Sequence, residues 1–165
     1  MAPSTDDSIR RICFLRTGGA GDIGAFDRAL RLCQRTGAEL SIVSAVDDPP
    51  KGIMRLLMSW GAPAEAVTGG ADEATEGGQL LEIARNRGVN ASSELLHGKK
   101  FLEVIRKVLR DKHDLLIKAA ESTHAVQRVL LGHIDRQLIR KCPCTVWIEK
   151  PSNGKTHDRI LAAVD

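Results

Sequence analysis

Apolar residues along the chain fall into short blocks that alternate between two spacings. Ile12-Cys-Phe-Leu15 is a continuous apolar run with no polar face. Such a run reads as a strand buried on both sides of a sheet. The glycine-rich Thr17 to Gly21 follows, and a helix is predicted from Asp22, a good N-cap. Phe26, Leu30 and Cys33 fall at i, i+4 and i+7 on one face of it, and Gly37 is placed to end it. Leu40 to Val46 reads as a second strand, stopped by Asp47-Asp-Pro-Pro50. Ile53 to Trp60 suits a short helix, whereas Gly69-Gly-Ala-Asp and Glu76-Gly-Gly read as mobile. A helix over Gln79 to Arg87 closes at Gly88, and Ala91 to Leu96 is the third strand. Phe101 to Arg110 is the clearest helix, with Phe101, Ile105, Val108 and Leu109 on one face. Asp114 to Lys118 is a fourth strand. A helix from about His133 to Arg140 carries Ile134, Leu138 and Ile139, and Cys144 to Ile148 is the fifth strand.

Strands alternating with helices require crossover connections, hence an α/β fold with a parallel sheet and helices on both faces. In such folds ligands bind in the crevice at the carboxyl ends of the strands. The 165 residues suffice for one ordinary domain, and 42% hydrophobic with 27% charged residues excludes a disordered chain. A net charge of +3 with no Lys/Arg block argues against nucleic acid. No apolar run reaches the roughly 18 residues of a membrane helix. Met1 to Arg10 is polar and unlike a signal peptide, so a cytoplasmic location is the expectation. Aromatic residues number five, Phe14, Phe26, Trp60, Phe101 and Trp147, with no tyrosine. The core must be aliphatic, and chemistry that needs a tyrosine is excluded.

Three constellations offer chemistry. Gly19-Ala-Gly-Asp-Ile-Gly24 is a literal G-x-G-x-x-G between a strand and a helix, and Asp47 lies where a ribose ligand would be. Thr17-Gly-Gly-Ala-Gly21 looks like the opening of short-chain dehydrogenases, which would make the chain an NAD(P)-binding Rossmann fragment, yet those enzymes use a catalytic tyrosine that the chain lacks. The plainer reading is a strand-to-helix turn with weak anion affinity. Cys142-Pro-Cys144 has neither zinc-ribbon nor thioredoxin spacing. Cys144 is expected to point into the core with Cys142 at the turn, as structural thiols or part of a metal site shared with a histidine. Gly98-Lys-Lys100 reads as a solvated face, and His124 and His133 as surface groups. His133, beside Gly132 at a helix start, could help hold a phosphate or carboxylate. No Ser/His/Asp or paired-carboxylate arrangement emerges, so an enzyme is not expected.

The C-terminal third carries a family likeness. His113-Asp-Leu-Leu-Ile-Lys118, Val129-Leu-Leu-Gly-His133 and Leu138-Ile-Arg-Lys-Cys-Pro-Cys-Thr-Val-Trp147 resemble the universal stress protein family, and its tandem E-type members in particular. Asp27-Arg-Ala-Leu-Arg-Leu, Gly37-Ala-Glu-Leu and Val46-Asp47 fit the same pattern. The resemblance implies a five-stranded sheet of order 3-2-1-4-5. It implies a domain over residues 9–150 and a linker over 151–158. Arg159-Ile-Leu-Ala-Ala-Val-Asp165 then reads as the truncated start of a second repeat, or else as a last strand of the same sheet.

Nucleotide-binding members carry G-x2-G-x9-G-[ST] after the fourth strand, where glycines let backbone N–H groups approach phosphates. The equivalent positions here are Ala119, Ser122, Gly132 and His133, so one of four matches. The aspartate that family members place after the first strand is Thr17, followed by Gly18; Ala45 is a further position of the nucleotide site, and the terminal repeat has Asp165 in the aspartate's place. The resemblance therefore implies a non-catalytic stress-response binding and interaction module with a degenerate nucleotide site and weak or absent ATP binding. An ATP-binding stress protein is the alternative. It also implies a homodimer through the fifth strand, with Thr145, Val146, Trp147 and Ile148 at the contact and Trp147 buried only when that edge is covered.

Overall fold

Continuous apolar runs form the centre of the sheet, and more mixed segments form its edges. In the computed structural model, residues 9–48, 51–61, 70–120 and 132–150 are described. Strands β1 (Arg11–Leu15), β2 (Glu39–Val46), β3 (Ala91–His97), β4 (Leu115–Ala119) and β5 (Thr145–Glu149) lie in the order β3-β2-β1-β4-β5. All four pairings are parallel. The crossovers are α1 (Asp22–Thr36), α2 (Lys51–Ser59), α3 (Gly70–Asn86), α4 (Lys100–Asp111) and α5 (His133–Lys141). The α/β class and the strand order are as the sequence implied.

Alternation along β1 assigns its side chains to two cores. Ile12 and Phe14 join Leu40, Ile42, Leu115 and Ile117 under α1 and α3. Phe26 of α1 meets Phe14 with ring centroids 5.4 Å apart, and Leu30 and Cys33 pack on the same face. On the other side Cys13 and Leu15 join Val43 and Leu116 under Val104 and Val108 of α4 and Leu138 of α5. Gly37 ends α1 at φ 73°, its N–H bonded to Cys33 O at 2.8 Å.

Several expectations need correction. The helix expected from Gln79 begins at Gly70, so Glu76-Gly-Gly is helical. Gly77 is used there for close approach: a Cβ at this position would lie 2.8 Å from Ser93 Oγ on β3. Leu109 and Ile139 are largely exposed, because α4 turns Val104, Lys107 and Val108 inward and α5 turns Asp135 and Leu138 inward. Asp22 is the first helical residue of α1, not its N-cap, which is Gly21. Trp147 is half-buried within the single chain: its indole lies 5.4 Å from the Arg28 guanidinium of α1 and donates to Glu149 Oε2 at 2.9 Å. The expected linker and second repeat, together with Ser122 and His124, lie outside the described residues.

Candidate functional site

The carboxyl ends of β1 and β4, where strand order reverses, are the place for a ligand in this topology. Backbone donors and cations gather there, and helix starts bring carboxylates to meet them. Thr17 and Gly18 leave β1 in a tight turn, with Gly18 at φ 76°. Their N–H groups both donate to Asp22 Oδ2 at 2.8 Å, and the Thr17 hydroxyl donates to Asp22 Oδ1 at 2.7 Å. The buried Asp22 carboxylate thus sits where a phosphate would sit in a glycine-rich nucleotide turn.

The same arrangement recurs after β4. Lys118 is fully buried and forms an ion pair with the equally buried Asp135 in the first turn of α5. Asp135 Oδ2 also accepts from the Gly132 N–H at 3.2 Å, so the glycine of the family motif already has a carboxylate on its amide. A second cation, Arg16, is nearly buried at the end of β1. It reaches Glu73 at 2.8 Å and Glu76 at 2.5 Å, both from α3, and donates to the Glu73 carbonyl at 3.1 Å.

The described residues line a cavity of about 60 Å³ among Arg16, Thr17, Ala45, Glu73, Lys100, Lys118 and Ile134. Pockets for small organic ligands start at roughly 300 Å³. Thr17 and Ala45 of the expected site do line it. Gly18 is held in the adjoining turn, and Ala119 is buried at the end of β4. Gly132 and His133 stand at the start of α5, His133 exposed to solvent. Lys100, read as part of a solvated face, is half-buried and faces this cavity; among the described residues its ammonium has no carboxylate partner. Asp47, the suggested ribose ligand, instead accepts the Lys100 N–H at the start of α4 at 3.3 Å.

Sequence reasoning missed the three internal ion pairs and carboxylate caps. Lysine inside the otherwise apolar Leu115–Ala119 was the available signal, since a buried ammonium requires a partner. Nothing local marked Glu73 and Glu76 as partners of Arg16, because the helix that carries them began beyond the expected boundary.

Comparison with known proteins agrees with this fold. The model of the universal stress protein family matches residues 9–150. The chain belongs to the universal stress protein family. A universal stress protein of Methanocaldococcus jannaschii is 23% identical over 145 residues, covering 88% of this chain and 84% of that protein. Universal stress protein E of Photorhabdus laumondii is 30% identical over 69 residues, 42% of this chain. That match spans only 22% of the E-type protein's length. Among solved structures, the universal stress protein UspA from Lactobacillus plantarum superposes with a TM-score of 0.68 at 20% identity, covering 85% of this chain and 97% of that one. A universal stress protein solved in complex with cAMP gives 0.64 at 17% identity, covering 86% and 97%. Both show the shared fold.

Proposed function

We propose that this universal stress protein domain is a non-catalytic binding and interaction module of the cytoplasmic stress response, and that its nucleotide position is degenerate. The observation that carries the reading is the internal neutralisation of the strand tips. Asp22 occupies the Thr17 and Gly18 amides, Asp135 occupies Lys118 and the Gly132 amide, and Glu73 with Glu76 occupies Arg16. A triphosphate would have to displace these carboxylates or lie beside them, and like charges at such distances repel.

The second reading, a nucleotide-binding stress protein, is favoured by Lys100, which lines the cavity and has no carboxylate partner among the described residues. A relative in fold was solved with cAMP. One lysine, with the Thr17, Gly18 and Gly132 amides already bonded to carboxylates, supports weak anion affinity, not a tight site.

For assembly we favour a homodimer through β5, the edge of the sheet next to β4. Thr145 is exposed there, and Val146, Trp147 and Ile148 are partly exposed, a surface suited to pairing with a second copy. The likeness to E-type proteins makes a second repeat the equivalent partner within a longer chain. One experiment addresses function and assembly together: incubation of the full chain with ATP, followed by light scattering and a phosphate-release assay. The expected result is twice the monomer mass with or without ATP, reduced by Val146→Lys, and no phosphate above the protein-free control. Steady phosphate release would end the non-catalytic reading, and a monomer at high concentration would end the dimer.

A further inference from the structure

The turn between α5 and β5 carries a feature the binding function does not use. Cys142 Sγ and Cys144 Sγ lie 3.5 Å apart, in hydrogen-bonding contact, and both residues are partly exposed. Cys13 and Cys33, by contrast, are buried. Pro143 joins the pair and fixes one backbone torsion, which limits how far the two thiols can separate. Cys142 closes α5, its N–H bonded to Leu138 O at 2.8 Å, while Cys144 leads directly into β5.

From this placement we propose that Cys142 and Cys144 form a redox-active dithiol that closes to an intramolecular disulfide on reaction with a hydroperoxide. Cys142 is the attacking thiol. The hydrogen bond from Cys144 draws it down from an ordinary value of 9.0 to about 7, although burial works in the opposite direction. Cys144 is raised by holding the shared proton and by burial, as befits the resolving partner. Burial pushes Cys13, behind them in the same apolar cluster, up to about 12, and Cys33 across the sheet up to about 11, so neither competes as a nucleophile.

The reaction balances in two steps. The Cys142 thiolate attacks the outer peroxide oxygen; the O–O bond breaks, and the alkoxide takes up a proton and leaves as an alcohol, or as water from hydrogen peroxide. Cys142 is then a sulfenic acid. Cys144 Sγ attacks that sulfur, the S–O bond breaks, and the oxygen leaves as water with the Cys144 proton. Two thiols lose two electrons and the peroxide gains them. The sulfurs close from 3.5 Å to roughly 2.0 Å, a movement confined to side chains and one turn.

The test uses the full chain and hydrogen peroxide, read by intact mass, peptide mapping and thiol alkylation. The wild type should lose two hydrogens per chain, with the bridge mapped to Cys142 and Cys144 and reversed by dithiothreitol. Cys144→Ser should instead accumulate a sulfenic acid that dimedone traps, while Cys142→Ser should react about tenfold more slowly, having lost the activated thiolate. A far-ultraviolet spectrum matching the wild type keeps a misfolded variant from counting as support. The proposal is overturned if oxidation yields only bridges between chains, if Cys142 goes straight to sulfinic acid with Cys144 still free, or if Cys142 is alkylated no faster than Cys33.

Discussion

Two helix starts in this domain solve one problem with different chemistry. At α1, Asp22 turns back onto the neutral amides of Thr17 and Gly18 and onto one hydroxyl. At α5, Asp135 turns back onto a full positive charge, Lys118, with one amide besides. The first arrangement puts a carboxylate on backbone donors that carry no full charge. The second neutralises a cation that the apolar strand could not otherwise hold. The difference teaches that, on the proposed reading of this crevice, one half could be reopened to an anion and the other half is tied to holding a buried cation.

The largest expected effect lies at the second half. Asp135→Ala removes the carboxylate paired with the fully buried Lys118, a loss of about 3–5 kcal/mol. Adding Lys118→Met should restore much of that stability, since an apolar pair needs no neutralisation. Chemical denaturation of the two variants measures both. Equal losses in the single and double variants would mean that the pair is not what Asp135 contributes.

Asp22→Ala should cost less, about 1 kcal/mol, the scale of a lost helix-start hydrogen-bond acceptor. The amides it releases lie near solvent and can turn to water. A loss as large as that of Asp135→Ala would erase the contrast between the two starts.

The smallest effect is a pH dependence that originates at the opposite end of the sheet. His113 is buried, its Nε2 lies 2.9 Å from Ser41 Oγ, and its Nδ1 has no hydrogen-bond partner among the described residues. Burial, helped by the positive charge of Lys107 and Arg11 and opposed by Asp111, lowers it below the ordinary 6.5. Between that lowered value and 6.5 the unfolded chain binds a proton that the folded chain refuses. Stability is therefore full above about pH 6.5 and declines as pH falls through the folded value. Denaturation midpoints at pH 7 and 5.5 should differ for the wild type and converge for His113→Gln. A decline that begins only below pH 4.5 would instead point to Glu94, lowered against the opposing effect of burial by Lys107 and Arg110 together, and to Asp111, lowered by Arg110 and Lys107.

These contrasts also explain what could be read from the sequence. Strands such as Arg11–Leu15 were legible because a strand buried on both faces must be nearly continuous in apolar residues, here Ile12 to Leu15. Helix α1 was legible because Phe26, Leu30 and Cys33 repeat at helical spacing and Gly37 supplies the left-handed residue that stops it. Helix α3 was cut short because Gly77 and Gly78 carry low helix propensity, while the packing of Gly77 against Ser93 that favours glycine is a tertiary contact. Adjacent apolar residues on α4 hid the phase of its stripe, which Val104 and the buried Lys107 set and Leu109 does not follow. At the candidate site, the departures at Ala119 and Thr17 were visible as letters. That Asp22 and Asp135 fill the vacated roles depended on where two side chains turn, which no spacing specifies.

Isothermal titration of ATP into the wild-type chain and into Asp22→Ala tests the central claim, that the chain's own carboxylates stand in for the phosphates. The account predicts a millimolar constant or no measurable heat for the wild type, and tighter binding once the Thr17 and Gly18 amides are released. A low-micromolar constant for the wild type, unchanged or weakened by Asp22→Ala, would contradict it.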